Sequence, residues 1–175
     1  MIKITVVFVF FFVLRILTLI VSIKNEKKLK SEGAVEYGKT NSLLMTLFHI
    51  LFYIGSISEA VLSNASFNYV NKIGIVLFLF SYLVLWYVIT QLKNIWTVKL
   101  YIAKEHKINN SFLFKYFRHP NYYLNIIPEL IGIGMLCKAW IVMIIILPVY
   151  MVILIIRIIQ EERAMKFLYV IEQTY

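Results

Sequence analysis

Aspartate is absent from this chain of 175 residues, and charged side chains of any kind are scarce. Only 15% of the residues are charged and 61% are hydrophobic, whereas soluble domains are about 25% charged and about 45–50% apolar. The chain is therefore not an ordinary soluble domain. Its formal net charge is +9, but the basic residues are spread between apolar runs, a pattern that indicates membrane topology rather than a nucleic-acid surface.

Cysteine is also rare and occurs once, at Cys137. A single cysteine excludes an internal disulfide and any cysteine-based metal cluster. His49 has no second His or Cys at ligand spacing, so we interpret it as an interior histidine rather than a metal ligand. The chain also lacks internal repeats and low-complexity tracts. We expect one domain over residues 1–175, with no metal and no nucleic-acid partner.

Long apolar runs dominate what is present, and a helix that spans a bilayer needs about 20 such residues. Their number predicts an all-α, polytopic integral membrane protein with about five transmembrane helices, three of them in residues 1–90. The runs cover residues 2–23, 43–62, 73–89, 122–137 and 139–159. The first run is too long for a signal peptide and carries Arg15 inside it, so we expect it to be retained.

The segments between the runs predict the topology. Residues 24–42 form a polar loop in this interpretation, and residues 90–117 a helix extension followed by a cytosolic interfacial segment. Only Lys138 separates the last two runs, which predicts a tight C-terminal helical hairpin. Fourteen of the 18 Lys and Arg residues fall in 24–42, in 90–121 and from Arg157 onward. The positive-inside rule places these segments in the cytoplasm, with the N-terminus outside and the C-terminus cytoplasmic.

Reactive polar side chains are most concentrated in residues 115–129, at the start of the fourth apolar run. On a helix, Tyr122, Asn125 and Glu129 share one face, which we expect to point into the bundle and not toward lipid. Because ionisable groups at membrane depth are costly, Glu129 marks a candidate functional site. The alternative interpretation is a polar packing seam between helices.

A second polar group follows the fifth apolar run. Arg157 and Glu161 lie one helical turn apart, which would allow them to pair, whereas Glu162 is predicted to point in a different direction. Alone, this group resembles a solvated helix end with a weak surface ion pair. The predicted hairpin returns it to the membrane face that carries Arg118 and His119, so the two polar groups are expected to converge.

Three elements in this order resemble the isoprenylcysteine carboxyl methyltransferase family, part of a wider group of phospholipid methyltransferase-like membrane enzymes. The elements are His106, the run Arg118-His119-Pro120-Asn121-Tyr122, and Arg157 followed by Glu161-Glu162. The resemblance covers about residues 91–165. It implies S-adenosylmethionine as cofactor, bound at the cytoplasmic side, and a lipid-like methyl acceptor that enters from the bilayer. Carried over to this chain, the cofactor-binding residues are His106, Arg118, His119, Tyr122, Glu161 and Glu162.

The chain departs from the family pattern just after the motif tyrosine. Leu124 stands where the family usually has Gly, and Asn125 follows it. A carboxylate acceptor needs no base, whereas a hydroxyl acceptor does, so Glu129 is a candidate general base if the acceptor is a hydroxyl. Arg118 suits the carboxylate of the cofactor. The predicted catalytic residues are therefore Arg118, Asn125 and Glu129.

Two further functions compete with a methyltransferase that acts on a carboxyl or hydroxyl oxygen. One is an NADPH-dependent membrane reductase of the steroid-reductase type, which has a similar helical C-terminal region. The other is a non-catalytic membrane subunit, in which the polar residues serve packing only.

Overall fold

A computed structural model describes residues 1–102 and 111–172, with side chains as far as Met165. The described residues form six α-helices and two short strands. They are α1 (Ile2–Ser31), β1 (Val35–Tyr37), α2 (Lys39–Leu62), α3 (Tyr69–Leu92), β2 (Leu100–Ile102), α4 (Phe112–Tyr116), α5 (Ile127–Cys137) and α6 (Trp140–Glu172). A π-helical segment, Asn121–Ile126, leads directly into α5.

Four helices of the described chain are long and apolar enough to cross a bilayer: α1, α2, α3 and α6. Large apolar side chains on their outer surfaces, such as Phe10, Leu17 and Trp86, stay exposed, as lipid contact requires. The protein is therefore a multi-pass integral membrane protein. The fifth predicted span consists of the six-residue π-helical segment and the eleven-residue α5, shorter together than the usual length of about 20 residues.

Two of the predicted connections differ from the structure. The polar loop predicted at 24–42 is shorter, because α1 continues to Ser31 and α2 begins at Lys39. Between them, β1 pairs antiparallel with β2, with Glu36 opposite Tyr101. β2 lies in the segment predicted as a helix extension and interfacial region, so the all-α prediction was wrong for these strands. Each strand has three residues, too few to show an alternating pattern.

The central contact of the bundle is a close crossing of α3 and α5 at Gly74 and Gly132. A Cβ atom at Gly74 would lie 2.6 Å from the Gly132 carbonyl oxygen and 2.5 Å from the Leu136 backbone nitrogen. Small residues permit such backbone approach between membrane helices. The Asn71 side chain adds a 2.6 Å hydrogen bond to the Leu136 carbonyl. This crossing fixes the position of α5, which carries Glu129 into the bundle.

The turn between α5 and α6 reverses the chain. Lys138 adopts a left-handed backbone conformation at φ 53°, and α6 begins at Trp140. Glu59, at the end of α2, accepts hydrogen bonds from the backbone nitrogens of Ile141 and Val142, both at 3.0 Å. A carboxylate at this position satisfies free N–H groups and complements the helix dipole. From this turn, α6 runs along α2 toward β1, which lies at the other end of the bundle from the turn.

Candidate functional site

Polar side chains meet at the end of the bundle that carries the two strands. We call them the outer cluster: Ser42, His119, Tyr122, Arg157, Glu161 and Glu162. Ser42 lies on α2, His119 lies just before the π-helical segment and Tyr122 within it. The other three residues lie on α6. Pro120 immediately precedes the π-helical segment, where a missing N–H leaves no helical hydrogen bond broken.

His119 lies between two carboxylates of α6. Its Nδ1 is 3.4 Å from Glu161 Oε1, and its Nε2 is 3.5 Å from Glu162 Oε1. Its ring is buried and stacks on Tyr122, with 5.8 Å between ring centroids. Burial by itself lowers the pKa of His119, but the interactions with Glu161 and then Glu162 outweigh burial, so this pKa is raised. The prediction that the two carboxylates point in different directions was wrong, because both contact the same ring.

Arg157 is the deeply buried cation of the outer cluster, with 1% of its surface exposed. Its guanidinium donates to Tyr122 Oη at 3.2 Å, to Ser42 Oγ at 2.8 Å and to the Val98 carbonyl at 3.1 Å. Tyr122 Oη in turn donates to Glu161 Oε2 at 2.6 Å. Tyr122 therefore bridges Arg157 and Glu161, so the two side chains interact through its hydroxyl rather than as a direct ion pair.

A second group lies deeper, and we call it the inner cluster: Arg15, His49, Tyr53, Glu129 and Tyr150. Glu129 is fully buried, at 0% exposed. Its Oε1 accepts a hydrogen bond from Tyr53 Oη and lies 3.4 Å from Arg15 Nε and 3.5 Å from His49 Nε2. His49 Nδ1 is 3.3 Å from Tyr150 Oη. Helices α1, α2, α5 and α6 thus converge on one carboxylate.

The two clusters are related by the helical repeat. Three helical elements each supply one residue to each cluster, seven positions apart. The pairs are Ser42 and His49 on α2, Tyr122 and Glu129 on the π-helical segment and α5, and Arg157 and Tyr150 on α6. Seven residues make about two turns, or about 10 Å along a helix. The inner cluster therefore lies about 10 Å further into the bundle than the outer cluster.

A cavity of about 390 Å³ opens on α6 next to the outer cluster. Its lining residues are Tyr37, Gly38, Gln160, Arg163 and Ala164. Gly38 has a left-handed backbone, at φ 61°, and a Cβ atom there would collide with Gln160 Oε1. That oxygen is buried and accepts no hydrogen bond from the described residues. Gln160 thus lines the cavity while its Oε1 packs against the Gly38 backbone.

Comparison with known proteins gives the family. The model of the isoprenylcysteine carboxyl methyltransferase (ICMT) family matches residues 74–167. This chain belongs to the ICMT family. It is 49% identical to an uncharacterized protein of Haemophilus influenzae, over 97% of this chain and 98% of that protein. It is also 28% identical to the uncharacterized protein YpbQ of Bacillus subtilis, over 82% and 84% of the two chains. No solved structure matches.

ICMT family membership makes this chain a membrane methyltransferase and confirms the resemblance seen in the sequence. The matched region begins in α3, so it includes Glu129, Tyr150 and most of the outer cluster. It does not include α1 or α2, which supply Ser42 and three of the five inner residues. The N-terminal helices of this ICMT family member therefore contribute directly to both polar clusters.

The cofactor-binding residues predicted from the ICMT pattern do not all lie together. The structure brings together His119, Tyr122, Glu161 and Glu162. Arg118 is exposed and forms no ion pair with any described residue. His106 lies outside the described residues.

The predicted catalytic residues differ in depth. Tyr122, Asn125 and Glu129 are buried at 8%, 1% and 0% exposed, which confirms that they point into the bundle. Asn125 donates to Asn121 Oδ1 at 3.0 Å and lies one turn before Glu129. Glu129 belongs to the inner cluster, whereas Arg118 is exposed near the outer cluster.

Sequence reasoning missed most of the inner cluster. Arg15, His49 and Glu129 each interrupt a long apolar run, and ionisable groups at membrane depth tend to pair with one another. The three ionisable residues within apolar runs therefore indicate that ion pairs form inside the bundle, but the sequence does not show which residues pair. Tyr53 and Tyr150 carry no comparable signal, because tyrosine is common in apolar segments.

Proposed function

We propose that this protein is an S-adenosylmethionine-dependent O-methyltransferase that acts on a carboxyl or hydroxyl oxygen of a lipid-like acceptor. The observation that carries this proposal is the position of His119 between Glu161 and Glu162. It unites the Arg-His-Pro motif with the Glu-Glu motif, which stand about 40 residues apart in the sequence. Such convergence of polar groups beside a cavity is typical of a binding site.

The residues fit the chemistry of the cofactor. Its amino group and ribose hydroxyls donate hydrogen bonds, which the carboxylates of Glu161 and Glu162 can accept. Its carboxylate suits the exposed guanidinium of Arg118, which has no competing ion pair among the described residues. The bound cofactor supplies an electrophilic methyl group on a sulfonium centre.

The remaining outer residues orient these contacts. Tyr122 holds Glu161 through a 2.6 Å hydrogen bond, and Arg157 holds Tyr122 at 3.2 Å. We assign His119 to the same pocket. Catalysis then depends mainly on placing the acceptor oxygen in line with the methyl group and on excluding water.

The acceptor approaches from the bilayer, because the outer surfaces of the spans are apolar. Its reactive head reaches the region between the clusters, where Asn125 and Glu129 are buried. Arg118, Asn125 and Glu129 remain the proposed catalytic residues. We place this site at the cytoplasmic face, where the positive-inside rule puts the strands and the end of α6.

Ligand-dependent thermal unfolding of the detergent-purified protein tests this proposal. We expect S-adenosylhomocysteine to raise the unfolding temperature and NADPH to leave it unchanged. Arg118→Ala should weaken S-adenosylhomocysteine binding about tenfold, since a charge-assisted hydrogen bond contributes about 1.5–3 kcal/mol. Lys72→Ala, an exposed basic residue at the opposite end of α3, is the matched control. Stabilisation by NADPH alone would favour the reductase interpretation and contradict the proposal.

A further inference from the structure

The inner cluster leaves one oxygen of its carboxylate unused. Tyr53, Arg15 and His49 all approach Glu129 Oε1. Glu129 Oε2 is buried and accepts no hydrogen bond from the described residues. One turn earlier, Asn125 Oδ1 is likewise buried and without a donor, while its Nδ2 is occupied by Asn121. Two acceptor atoms on one face of the π-helical segment and α5 therefore lack donors.

Such atoms are informative because about 90% or more of buried polar groups in proteins are hydrogen-bonded. Leaving an acceptor without a donor in an apolar environment costs about 1–3 kcal/mol. Both free atoms accept and neither donates. The missing group must therefore be a hydrogen-bond donor, supplied by a ligand or by water.

Charge restricts the donor further. Arg15 already provides the positive charge that balances Glu129, at 3.4 Å. A carboxylate in this position would add a second negative charge beside Glu129, and it has no donor to offer. A neutral hydroxyl adds no charge and brings the donor that both free atoms lack. The site thus favours a hydroxyl over a carboxylate.

On the basis of the methyl transfer proposed above, we infer that the inner cluster is the acceptor subsite and takes a neutral enol or phenol hydroxyl. The hydroxyl donates to Glu129 Oε2, with Asn125 Oδ1 as the second acceptor. As its oxygen forms a bond to the methyl carbon, the bond from that carbon to sulfur breaks and its electron pair stays on sulfur. The hydroxyl proton passes to Glu129 Oε2. Tyr53 donates to Glu129 Oε1, while Arg15 and His49 lie 3.4 Å and 3.5 Å from it, and all three act as positioning residues.

The depth of the cluster fits this role. Glu129 lies at most about 10 Å along the helix from Tyr122 of the outer cluster. The hydroxyl oxygen that donates to Glu129 is also the atom that receives the methyl group, so the methyl end of the cofactor has to extend from the outer cluster toward Asn125 and Glu129. The apolar tail of the acceptor then remains level with the lipid-facing surfaces of the spans.

Binding of three probes with the same tail tests the inference. Para-decylphenol donates a hydrogen bond, para-decylanisole cannot donate, and para-decylbenzoate is a carboxylate. Affinities are measured in detergent by thermal shift, with S-adenosylhomocysteine present. We expect the phenol to bind at least about tenfold more tightly than the other two probes. This difference in affinity corresponds to one charge-assisted hydrogen bond. Equal or tighter binding of the benzoate would overturn the hydroxyl assignment.

Variants of the residues with free acceptor atoms show where the phenol probe binds. Glu129→Gln and Asn125→Ala should each weaken phenol binding, and Asn125→Ala provides the result if the buried Glu129 variant does not fold. Glu32→Gln, an exposed carboxylate at the end of α1, should change nothing. Unchanged phenol affinity in Asn125→Ala and Glu129→Gln would mean that the free acceptors hold buried water only, which overturns the inference.

The same preparations separate this inference from the proposed function. Binding of S-adenosylhomocysteine is measured without any probe. If it binds and no probe does, the acceptor subsite is wrong and the methyltransferase proposal stands. If it does not bind, but the phenol binds in a manner that depends on Glu129, the hydroxyl subsite stands and the cofactor assignment fails.

Discussion

The outer and inner clusters are built from the same residue types in different environments. Each contains an arginine, a histidine, a tyrosine and at least one glutamate. In the outer cluster the Glu162 side chain is 42% exposed, whereas in the inner cluster Glu129 is 0% exposed. Groups near the surface exchange protein partners for water and ligand at low cost. Groups at membrane depth have no water to replace a lost partner. The clusters should therefore respond differently to the same kind of mutation.

The largest expected effect is the loss of the inner cation. Arg15→Met leaves the carboxylate of Glu129 buried without its charge partner, and such a change costs about 3–5 kcal/mol. Unfolding in detergent should show this loss. The double variant Arg15→Met with Glu129→Leu should recover most of the stability, because it removes both charges. A single variant as stable as the original protein would show that the inner ion pair does not form.

The helix crossing that positions both clusters should be the next most sensitive feature. Gly74→Ala places a methyl group against the backbone of α5, at 2.6 Å from the Gly132 oxygen. Overpacking of this kind costs about 1–3 kcal/mol. Gly55→Ala is the control, since its nearest neighbour is the Val142 side chain at 3.0 Å, which can move. Equal losses in unfolding experiments on the two variants would contradict the close crossing.

A smaller effect is expected at the bridge of the outer cluster. Tyr122→Phe removes the hydroxyl that joins Arg157 and Glu161 while keeping the ring on His119. We expect binding of S-adenosylhomocysteine to weaken about tenfold, because Glu161 loses its orientation. Isothermal titration checks the affinity. Tyr123→Phe, which alters an exposed neighbour, should bind normally, and equal behaviour of the two variants would remove Tyr122 from the pocket.

The smallest predicted effect is a pH dependence that arises from His119 in the outer cluster. Because the pKa of His119 is raised in the folded protein, its protonation stabilises the fold. This contribution is complete below the pKa of an unfolded histidine, about 6.5, and is lost as pH rises through the higher folded value. His119→Gln should flatten the decline in unfolding temperature as pH rises above about 6.5. If the unfolding temperature of His119→Gln declines as in the original protein, titratable groups other than His119 cause the decline.

The sequence predicts the outer cluster well because its parts are short motifs. The residues from Arg118 to Tyr122 and the Glu161-Glu162 pair are each contiguous, and the return of α6 brings them together. Their detailed geometry was not predictable, because the π-helical turn at Asn121–Ile126 shifts the register of the following residues. The bridge from Arg157 through Tyr122 to Glu161 depends on that register.

The inner cluster was predicted only at Glu129. Its partners Arg15 and His49 lie on α1 and α2, whose rotation and contacts are set by tertiary packing. Periodicity identifies a helix, but it does not say which residue of a distant helix faces it. The short strands were missed for a similar reason, since their pairing joins residues more than 60 positions apart.

Two binding affinities, each measured on two variants, test most directly whether the two clusters bind different ligands. Binding of S-adenosylhomocysteine and of para-decylphenol is compared in Tyr122→Phe and Glu129→Gln, each against the original protein. We predict that Tyr122→Phe weakens binding of the cofactor product alone and that Glu129→Gln weakens binding of the phenol alone. If each variant instead weakens both ligands to the same extent, the two clusters are not separate binding sites and the account is contradicted.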